Sequence, residues 1–273
     1  MPRNADISRA LERPRDPFRD PISGDAAHAE QIRLGYLLFT RAPSLLGPAI
    51  GSALTCSNCH LNAGQREGGL PLVGSAHAYP QHNTRLGRLI SLEERIVSCL
   101  IRSLDAAAPA GAIAHENAGE ACFPSPRSAE VLALAAYVTW LSEGAAPPPP
   151  HALEEHERLA PSALDPDRGA RLYAKRCAGC HGDDGQGVHL GLLMPGPLWG
   201  ERSWNDGAGM ARTWTLAGFL RRAMPYSSPG RLDAEEAQHI AAFINGKPRP
   251  AFGHKDRDYP GTEAPPDAIH YRR

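Results

Sequence analysis

Lysine is scarce in this chain: only three of its 29 basic residues are lysine, and the rest are arginine. Net charge is also nearly absent, at −1 for pH 7, which argues against a protein that holds nucleic acid by bulk electrostatic attraction. No apolar stretch approaches the about 18 residues that a membrane-spanning helix needs. Strand signals are weak throughout, so the sequence favours a helical protein without a membrane span.

Size and composition are those of a globular protein with more than one core. At 273 residues the chain can form two domains of about 100–150 residues each. Its 42% of hydrophobic and 22% of charged residues suit packed cores. Residues 1–18 lack the apolar core of a secretory signal. For an exported protein we therefore expect that the signal has been removed or the start of the chain edited.

Four of the six cysteines form two copies of one short motif. The copies are CSNCH at residues 56–60 and CAGCH at residues 177–181. In a C-x-x-C-H motif the two thiols form thioethers to a c-type haem, and the histidine binds its iron. The residues assigned in this way to two covalently bound haems are Cys56, Cys59, His60, Cys177, Cys180 and His181.

Two other uses of these cysteines are weaker. A zinc site of four thiolates would leave both motif histidines unused, and a thioredoxin-like C-x-x-C predicts a βαβ pattern that the sequence lacks. Two complete motifs in similar helical settings favour two haems. Because c-type haem is attached outside the cytoplasm, we expect the protein to be periplasmic.

An internal repeat surrounds the two motifs. Gly35, Leu38 and Phe39 precede the first motif as Gly169, Leu172 and Tyr173 precede the second, and each half closes with an apolar helix, at 135–138 and 241–244 in matching positions. This pattern resembles the cytochrome c fold used twice. The expected fold class is all-α, with two cytochrome c-like domains in tandem joined by a Pro-rich linker. The predicted divisions are an irregular N-terminal extension (1–27), a first domain with haem 1 (28–145), the linker (146–164), a second domain with haem 2 (165–250) and a C-terminal extension (251–273).

The distal iron ligand sets what each haem does. For haem 2 the candidates are Met194, Met210 and Met224. Met224 is preferred because it lies in the loop just before the last helix, and a His/Met haem is an electron carrier. Met210 is its main competitor.

The first half has no methionine between Phe39 and Gly144 and no lysine, so its distal ligand must be cysteine, histidine or none. Cysteine and histidine candidates in this half are Cys99, Cys122, His77, His82 and His115. A disulfide between Cys99 and Cys122 is the structural alternative, and two histidine ligands would then be the fallback.

Cys99 lies on the predicted helix SLEERIVSCLIRS, residues 91–103. Ser91 and Glu94 form a capping box at its start. At 100° per residue, Cys99 falls between the apolar stripe and a strip that carries arginines and a serine. The polar residues expected around Cys99, including two from the preceding segment NTRLGR, are Arg85, Arg88, Arg95, Arg102 and Ser103.

These residues carry a family resemblance. The pattern from Tyr79 to Ser103, with R-x-G-R, LEERI and the cysteine four residues after Arg95, is similar to the catalytic haem domain of tetrathionate-forming thiosulfate dehydrogenases, dihaem cytochromes related to SoxA-type cytochromes. The resemblance implies that Cys99 ligates haem 1 and that Arg85, Arg95 and Ser103 line the substrate site. It also implies no Lys/Met ligand exchange at haem 2, because Ala223 stands where some members have lysine.

The implied reaction is 2 S₂O₃²⁻ → S₄O₆²⁻ + 2 e⁻, with arginines binding the anions and haem 2 passing electrons to an external carrier such as a cytochrome c, soluble or membrane-bound. The enzyme could also act in reverse as a tetrathionate reductase. We expect a monomer. Two alternatives remain, a non-catalytic dihaem electron-transfer cytochrome and a SoxA-like sulfur-carrier subunit.

Overall fold

The computed structural model describes residues 14–107, 123–147, 157–191 and 195–271. These residues form two compact units. The first contains the described residues between 14 and 147 together with 254–263, and the second contains 157–253 with 264–271. The predicted C-terminal extension is therefore divided between the units. Cys122, His115 and Met194 lie outside the described residues.

Helices dominate both units. The first contains α1 (Ala26–Leu46), the short α2 (Leu61–Gly64), α3 (Leu92–Ser103) and α4 (Ala129–Ser142), with a hairpin of β1 (Gln81–Asn83) and β2 (Arg88–Ile90). The second contains α5 (Pro166–Arg176), α6 (Ala178–His181), α7 (Thr213–Ala223) and α8 (Ala234–Asn245). Short 3₁₀ turns join them, including Cys56–Asn58, Ser75–Ala78, Gly209–Ala211 and Lys255–Arg257. Within the described part of the chain, no helix is both long and apolar enough to cross a membrane.

The same helix crossing occurs in each unit, as the repeat predicts. A Cβ atom on Gly35 of α1 would lie 2.0 Å from the carbonyl oxygen of Ala133 in α4, and one on Gly169 of α5 would lie 2.0 Å from that of His239 in α8. Both glycines therefore allow two helix backbones to touch. An aromatic pair flanks each crossing, with ring centroids 5.4 Å apart in both, Phe39–Tyr137 and Tyr173–Phe243.

Replacing Gly169 by alanine should destabilise the second unit. The added methyl group cannot share space with a backbone oxygen, so α5 and α8 must separate, at a cost of about 1–3 kcal/mol or more. Gly253→Ala is the matched control, because a Cβ there meets nothing within 4 Å. Denaturant unfolding of the two holoprotein variants measures the difference, and equal stability would contradict the close crossing.

Sequence patterning did not anticipate the hairpin. Its strands pair antiparallel, with Gln81 opposite Ile90 and Asn83 opposite Arg88. The turn is built by Asn83, whose backbone oxygen accepts from the amides of Leu86 and Gly87 and whose side chain also accepts from Leu86. Three-residue strands carry too little alternation to be read from sequence. The hairpin matters because Arg85 lies in its turn.

Candidate functional site

The first C-x-x-C-H motif is held in a form suited to iron binding. The His60 Nδ1 lies 2.7 Å from the backbone oxygen of Leu70, and since a carbonyl can only accept, Nδ1 carries the proton and Nε2 keeps its lone pair. Cys56 and Cys59 belong to the adjoining 3₁₀ turn and its end. Burial raises the pKa of both thiols to about 12, and a nearby Cys99 contributes to both shifts.

Cys99 therefore lies within electrostatic range of both haem-attaching thiols, although it is about forty residues away in sequence. Its thiol is free. Cys56, Cys59 and Cys99 are partly accessible to solvent. Two thiols, the His60 imidazole and a third sulfur would suit a covalently bound haem whose iron His60 and Cys99 would hold.

Arg95 joins this cluster from the same helix. It lies one turn before Cys99 on α3, and the negative charge of a Cys99 thiolate is the main cause that raises the pKa of Arg95. The Arg95 guanidinium and the Tyr79 hydroxyl lie within reach of each other, and their interaction contributes to the pKa shifts of both groups. Burial raises the pKa of Tyr79, so the phenol stays neutral. Tyr79 is a site residue to which the sequence assigned no role of its own.

The N-terminal cap and the apolar stripe of α3 fix the positions of Arg95 and Cys99 on the helix. The Glu94 amide donates to the Ser91 side chain at 3.3 Å, and the Ser91 amide donates to the Glu94 carboxylate at 2.8 Å, which confirms the predicted capping box. The inward face buries Val97, Leu100 and Ile101. Cys99 is partly accessible at the edge of this face.

The other predicted polar residues have different surroundings. Arg88 pairs with the capping carboxylate of Glu94 at 2.9 Å. Arg102 forms a two-pronged ion pair with Asp258, at 2.6 and 2.7 Å. Ser103 ends the helix and is half-buried. Arg85 stacks over the ring of Tyr259, with 5.7 Å from guanidinium carbon to ring centroid. The structure thus brings Arg95 next to Cys99, whereas the guanidinium groups of Arg88 and Arg102 are held by carboxylates.

The histidine candidates for haem 1 show no comparable placement among the described residues. The His77 Nε2 lies 2.8 Å from the backbone oxygen of Ser142. His82 is exposed on β1, opposite Leu89. A four-thiolate zinc site is also unsupported: across the described part of the chain, no three His, Cys, Asp or Glu side chains form a metal-binding group. Cys99 remains the best-placed partner for a haem bound at the first motif.

The second motif follows the end of α5. Cys177 ends that helix, and α6 carries the rest of the motif up to His181. Burial lowers the pKa of His181, which favours the neutral imidazole that binds iron. Burial also raises the pKa of Cys177 to about 12. The Tyr173 hydroxyl donates to the backbone oxygen of Gly182 at 2.7 Å and so anchors the residue after the motif.

Unmatched hydrogen-bond donors in the second unit also fit a haem. The indole N–H of Trp204 is buried without an acceptor among the described residues, as are Nε and Nη1 of Arg249. The Arg249 guanidinium lies 4.9 Å from the Trp204 ring centroid, and burial lowers the pKa of Arg249 to about 10. Buried donors of this kind call for anionic acceptors. A haem bound in this unit would supply such acceptors in its propionate carboxylates.

Met224 and Met210 differ in their surroundings. Met224 lies at the end of α7, partly accessible, where the chain turns toward α8. Met210 is 8% exposed, and its backbone oxygen accepts from the side-chain amide of Asn245 at 3.0 Å. These surroundings suit a ligand at 224 and a packing residue at 210.

Met224→Gly should abolish the sulfur–iron charge-transfer band of the oxidised holoprotein and lower the haem 2 potential, because a thioether ligand raises it. Met210→Gly is the comparison, expected to keep the band. Visible spectra and a redox titration of the two variants distinguish the ligands. Loss of the band in the Met210 variant alone would reverse the assignment.

Comparison with known proteins supports the division into two haem domains. The family model described as SoxA/TsdA, cytochrome c domain, matches residues 48–146. The model of cytochrome C oxidase, cbb3-type, subunit III matches residues 164–244. Each match contains one C-x-x-C-H motif, which confirms two cytochrome c domains in tandem and two covalently bound haems.

Curated proteins named thiosulfate dehydrogenase match most of the chain. One from Psychrobacter arcticus is 32% identical, over 86% of this chain and 68% of its own length. One from Stutzerimonas stutzeri is 34% identical, over 85% and 73%, and one from Allochromatium vinosum is 36% identical, over 84% and 82%. A solved thiosulfate dehydrogenase from Marichromatium purpuratum, titled TsdBA, superposes with a TM-score of 0.70 at 31% identity; 89% of this chain covers 51% of that one. The chain thus spans about half the length of that solved protein.

Proposed function

The chain belongs to the thiosulfate dehydrogenase family, and from this premise we propose that it joins two thiosulfate dianions into tetrathionate with release of two electrons. The observation that carries the proposal is the position of Cys99. Its thiol lies near both haem-attaching cysteines of the first motif and one helical turn from Arg95. This position supports a site in which a redox cofactor, a sulfur nucleophile and an anion-binding group would act together.

The main energetic difficulty of the reaction is the electrostatic repulsion between two thiosulfate dianions, and arginine side chains reduce this repulsion. A guanidinium keeps its charge at working pH and donates paired hydrogen bonds to oxyanions. The raised pKa of Arg95 secures that charge, and the neighbouring Tyr79 hydroxyl supports its position. Arg85 and Ser103 complete the proposed binding site, with Arg85 held in the hairpin turn.

The proposed chemistry takes place on the Cys99 sulfur. In the first step the Cys99 thiolate and the outer sulfur of one thiosulfate form an S–S bond, giving Cys99–S–S–SO₃⁻ and releasing two electrons. In the second step another thiosulfate attacks the sulfur next to the sulfonate group. Its new S–S bond yields tetrathionate and displaces the Cys99 thiolate, as in thiol–disulfide exchange. Charge and electrons balance in each step.

The two haems, when bound, supply acceptors for one electron each. The residues that would hold them are Cys56, Cys59 and His60 with Cys99, and Cys177, Cys180 and His181 with Met224. Arg95 holds the substrate anion beside Cys99 in both steps, and Tyr79 holds Arg95. The second step is an exchange at sulfur and the first is a two-electron oxidation, so the same residues could run the sequence backward on tetrathionate only when two electrons are supplied through the haems.

Location and electron route are part of the proposal. Covalent c-type haem attachment supports a periplasmic protein, and the second haem domain supports transfer from haem 2 to an external carrier such as a cytochrome c. We propose that the chain acts as a monomer. A purely electron-carrying role and a SoxA-like sulfur-carrier role are both less well supported, since the relatives are thiosulfate dehydrogenases over most of the chain.

Thiosulfate-dependent ferricyanide reduction by the purified holoprotein tests this function. We expect one ferricyanide reduced for each thiosulfate consumed, with tetrathionate identified as the product by chromatography. Reduction of ferricyanide without tetrathionate, or no reduction at all, would refute it. Tetrathionate supplied with a reduced electron donor tests the reverse direction in the same preparation.

A further inference from the structure

Three consecutive residues near the C-terminus contact the elements that carry the proposed substrate site. Asp258, Tyr259 and Pro260, here called the strap, belong to the segment His254–Glu263 of the first unit. Asp258 accepts two hydrogen bonds from the Arg102 guanidinium, at 2.6 and 2.7 Å. Both side chains are almost fully buried, with 5% and 1% exposed for Arg102 and Asp258. The strap therefore binds α3 at Arg102, three residues after Cys99.

The next two residues of the strap, Tyr259 and Pro260, contact the hairpin turn. The Tyr259 amide donates to the backbone oxygen of Arg85 at 2.7 Å, and its ring lies under the Arg85 guanidinium. Tyr259 adopts φ 59°, a left-handed conformation that costs a non-glycine residue free energy and persists only where contacts impose it. Pro260 lies against Gly87, where a Cβ would approach its ring to 2.8 Å.

These contacts link the two parts of the site that carry its cations. Arg85 lies in the hairpin, and Arg95 lies with Cys99 on α3. Breaking a buried ion pair by removing one partner costs several kcal/mol, so Arg102 and Asp258 hold the helix end firmly. The same tripeptide also bonds to the backbone of Arg85, so it contacts both the hairpin and the end of the helix.

We propose that the strap sets the distance between Arg85 and Cys99 and thereby determines how tightly thiosulfate is held. Asp258 and Tyr259 are positioning residues: they act through Arg102 and Arg85 and do not touch the substrate. The inference rests on the proposed function, since it assigns the strap to the thiosulfate site. It also explains why Arg102, on the polar side of α3, is neutralised by a carboxylate.

Asp258→Asn separates positioning from electrostatics because the two effects have opposite signs. The variant removes one negative charge beside Arg102 on the helix that carries Cys99, which by itself would favour thiosulfate binding and lower its KM. Loss of positioning raises KM. We expect KM for thiosulfate to rise roughly tenfold or more, as small misplacements of binding groups commonly cause, with a smaller change in kcat at saturating thiosulfate. Tyr259→Ala and Tyr259→Phe form a second pair. The alanine variant should raise KM for thiosulfate, whereas the phenylalanine variant should keep the wild-type KM because it retains the ring under Arg85.

The second unit offers a matched control. Asp267, also near the C-terminus and fully buried, pairs with Arg212 at 2.9 Å and accepts from the Trp214 amide at 3.0 Å. Asp267→Asn should lower the melting temperature of the holoprotein as Asp258→Asn does, without raising KM for thiosulfate.

Steady-state kinetics and thermal unfolding of these variants decide the matter. A KM that is unchanged or lower in Asp258→Asn, or equal in Tyr259→Ala and Tyr259→Phe, would overturn the strap proposal. If the Asp258 variant does not fold, the Tyr259 pair alone decides. If the wild-type protein does not oxidise thiosulfate at all, the proposed function is refuted. Failure of the strap proposal is therefore distinguishable from failure of the proposed function.

Discussion

Cys99→Gly is expected to reduce thiosulfate oxidation to the background of the assay while both haems stay covalently attached. The variant removes the only sulfur proposed to receive the first thiosulfate, so no later step can follow. The fold should survive, because the apolar face of α3 is supplied by other residues, among them Val97 and Leu100, and a glycine in a helix costs about 1 kcal/mol. Ferricyanide reduction and intact mass measure the two effects.

Two controls accompany this variant. Ser98→Gly places the same helix-weakening residue one position earlier and keeps the Cys99 thiol, so it should remain active. Cys122→Ser removes the other cysteine outside the haem motifs and should matter little. Because Cys99 is the proposed thiolate ligand of haem 1, the absorption spectrum of that haem should also change in the Cys99 variant alone. Near-normal turnover of Cys99→Gly would contradict the role of Cys99 as the sulfur nucleophile and leave α3 with a structural role only.

Arg95→Ala is expected to lower kcat/KM for thiosulfate by about 10- to 100-fold, mainly through a higher KM. A hydrogen bond to a charged group contributes about 1.5–3 kcal/mol, and a tenfold change corresponds to about 1.4 kcal/mol. The Arg95 guanidinium is the cation that interacts with the Cys99 thiolate, so its loss also weakens the attraction of a dianion to that sulfur. Initial rates over a range of thiosulfate concentrations give the two constants.

Arg127→Ala provides the control for net charge, because Arg127 is an exposed arginine of the same unit. It should leave KM unchanged within experimental error. If Arg95→Ala and Arg127→Ala behave alike, the effect is a general loss of positive charge, and Arg95 has no specific role in binding.

Local sequence patterns predicted the parts of the site that lie close together in the chain. The C-x-x-C-H motifs define their own chemistry, and the capping box at Ser91 fixes where α3 begins. From that start, helical periodicity places Arg95 one turn before Cys99. The helix crossings at Gly35 and Gly169 also follow from the repeat, since the same residue types recur at the same spacing in both halves.

Long-range contacts account for what sequence patterns missed. Arg102 faces the polar side of α3 and looked like an anion-binding group, but its partner Asp258 is 156 residues away. Tyr79 precedes the hairpin, and nothing local in the sequence indicates that its hydroxyl interacts with Arg95. The strap lies in a stretch without helical or strand periodicity. Its role is visible only in its contacts with α3 and the hairpin, which are distant in sequence.

The role of Cys99 as the sulfur nucleophile is tested most directly by trapping its adduct. Oxidised holoprotein in excess is mixed with thiosulfate labelled in its outer sulfur, quenched rapidly in acid and digested for peptide mass spectrometry. Because a second thiosulfate is then scarce, we predict labelled thiosulfate bound to the peptide that contains Cys99 and to no other. Formation of labelled tetrathionate while the Cys99 peptide stays unmodified at every quench time would contradict the proposed mechanism.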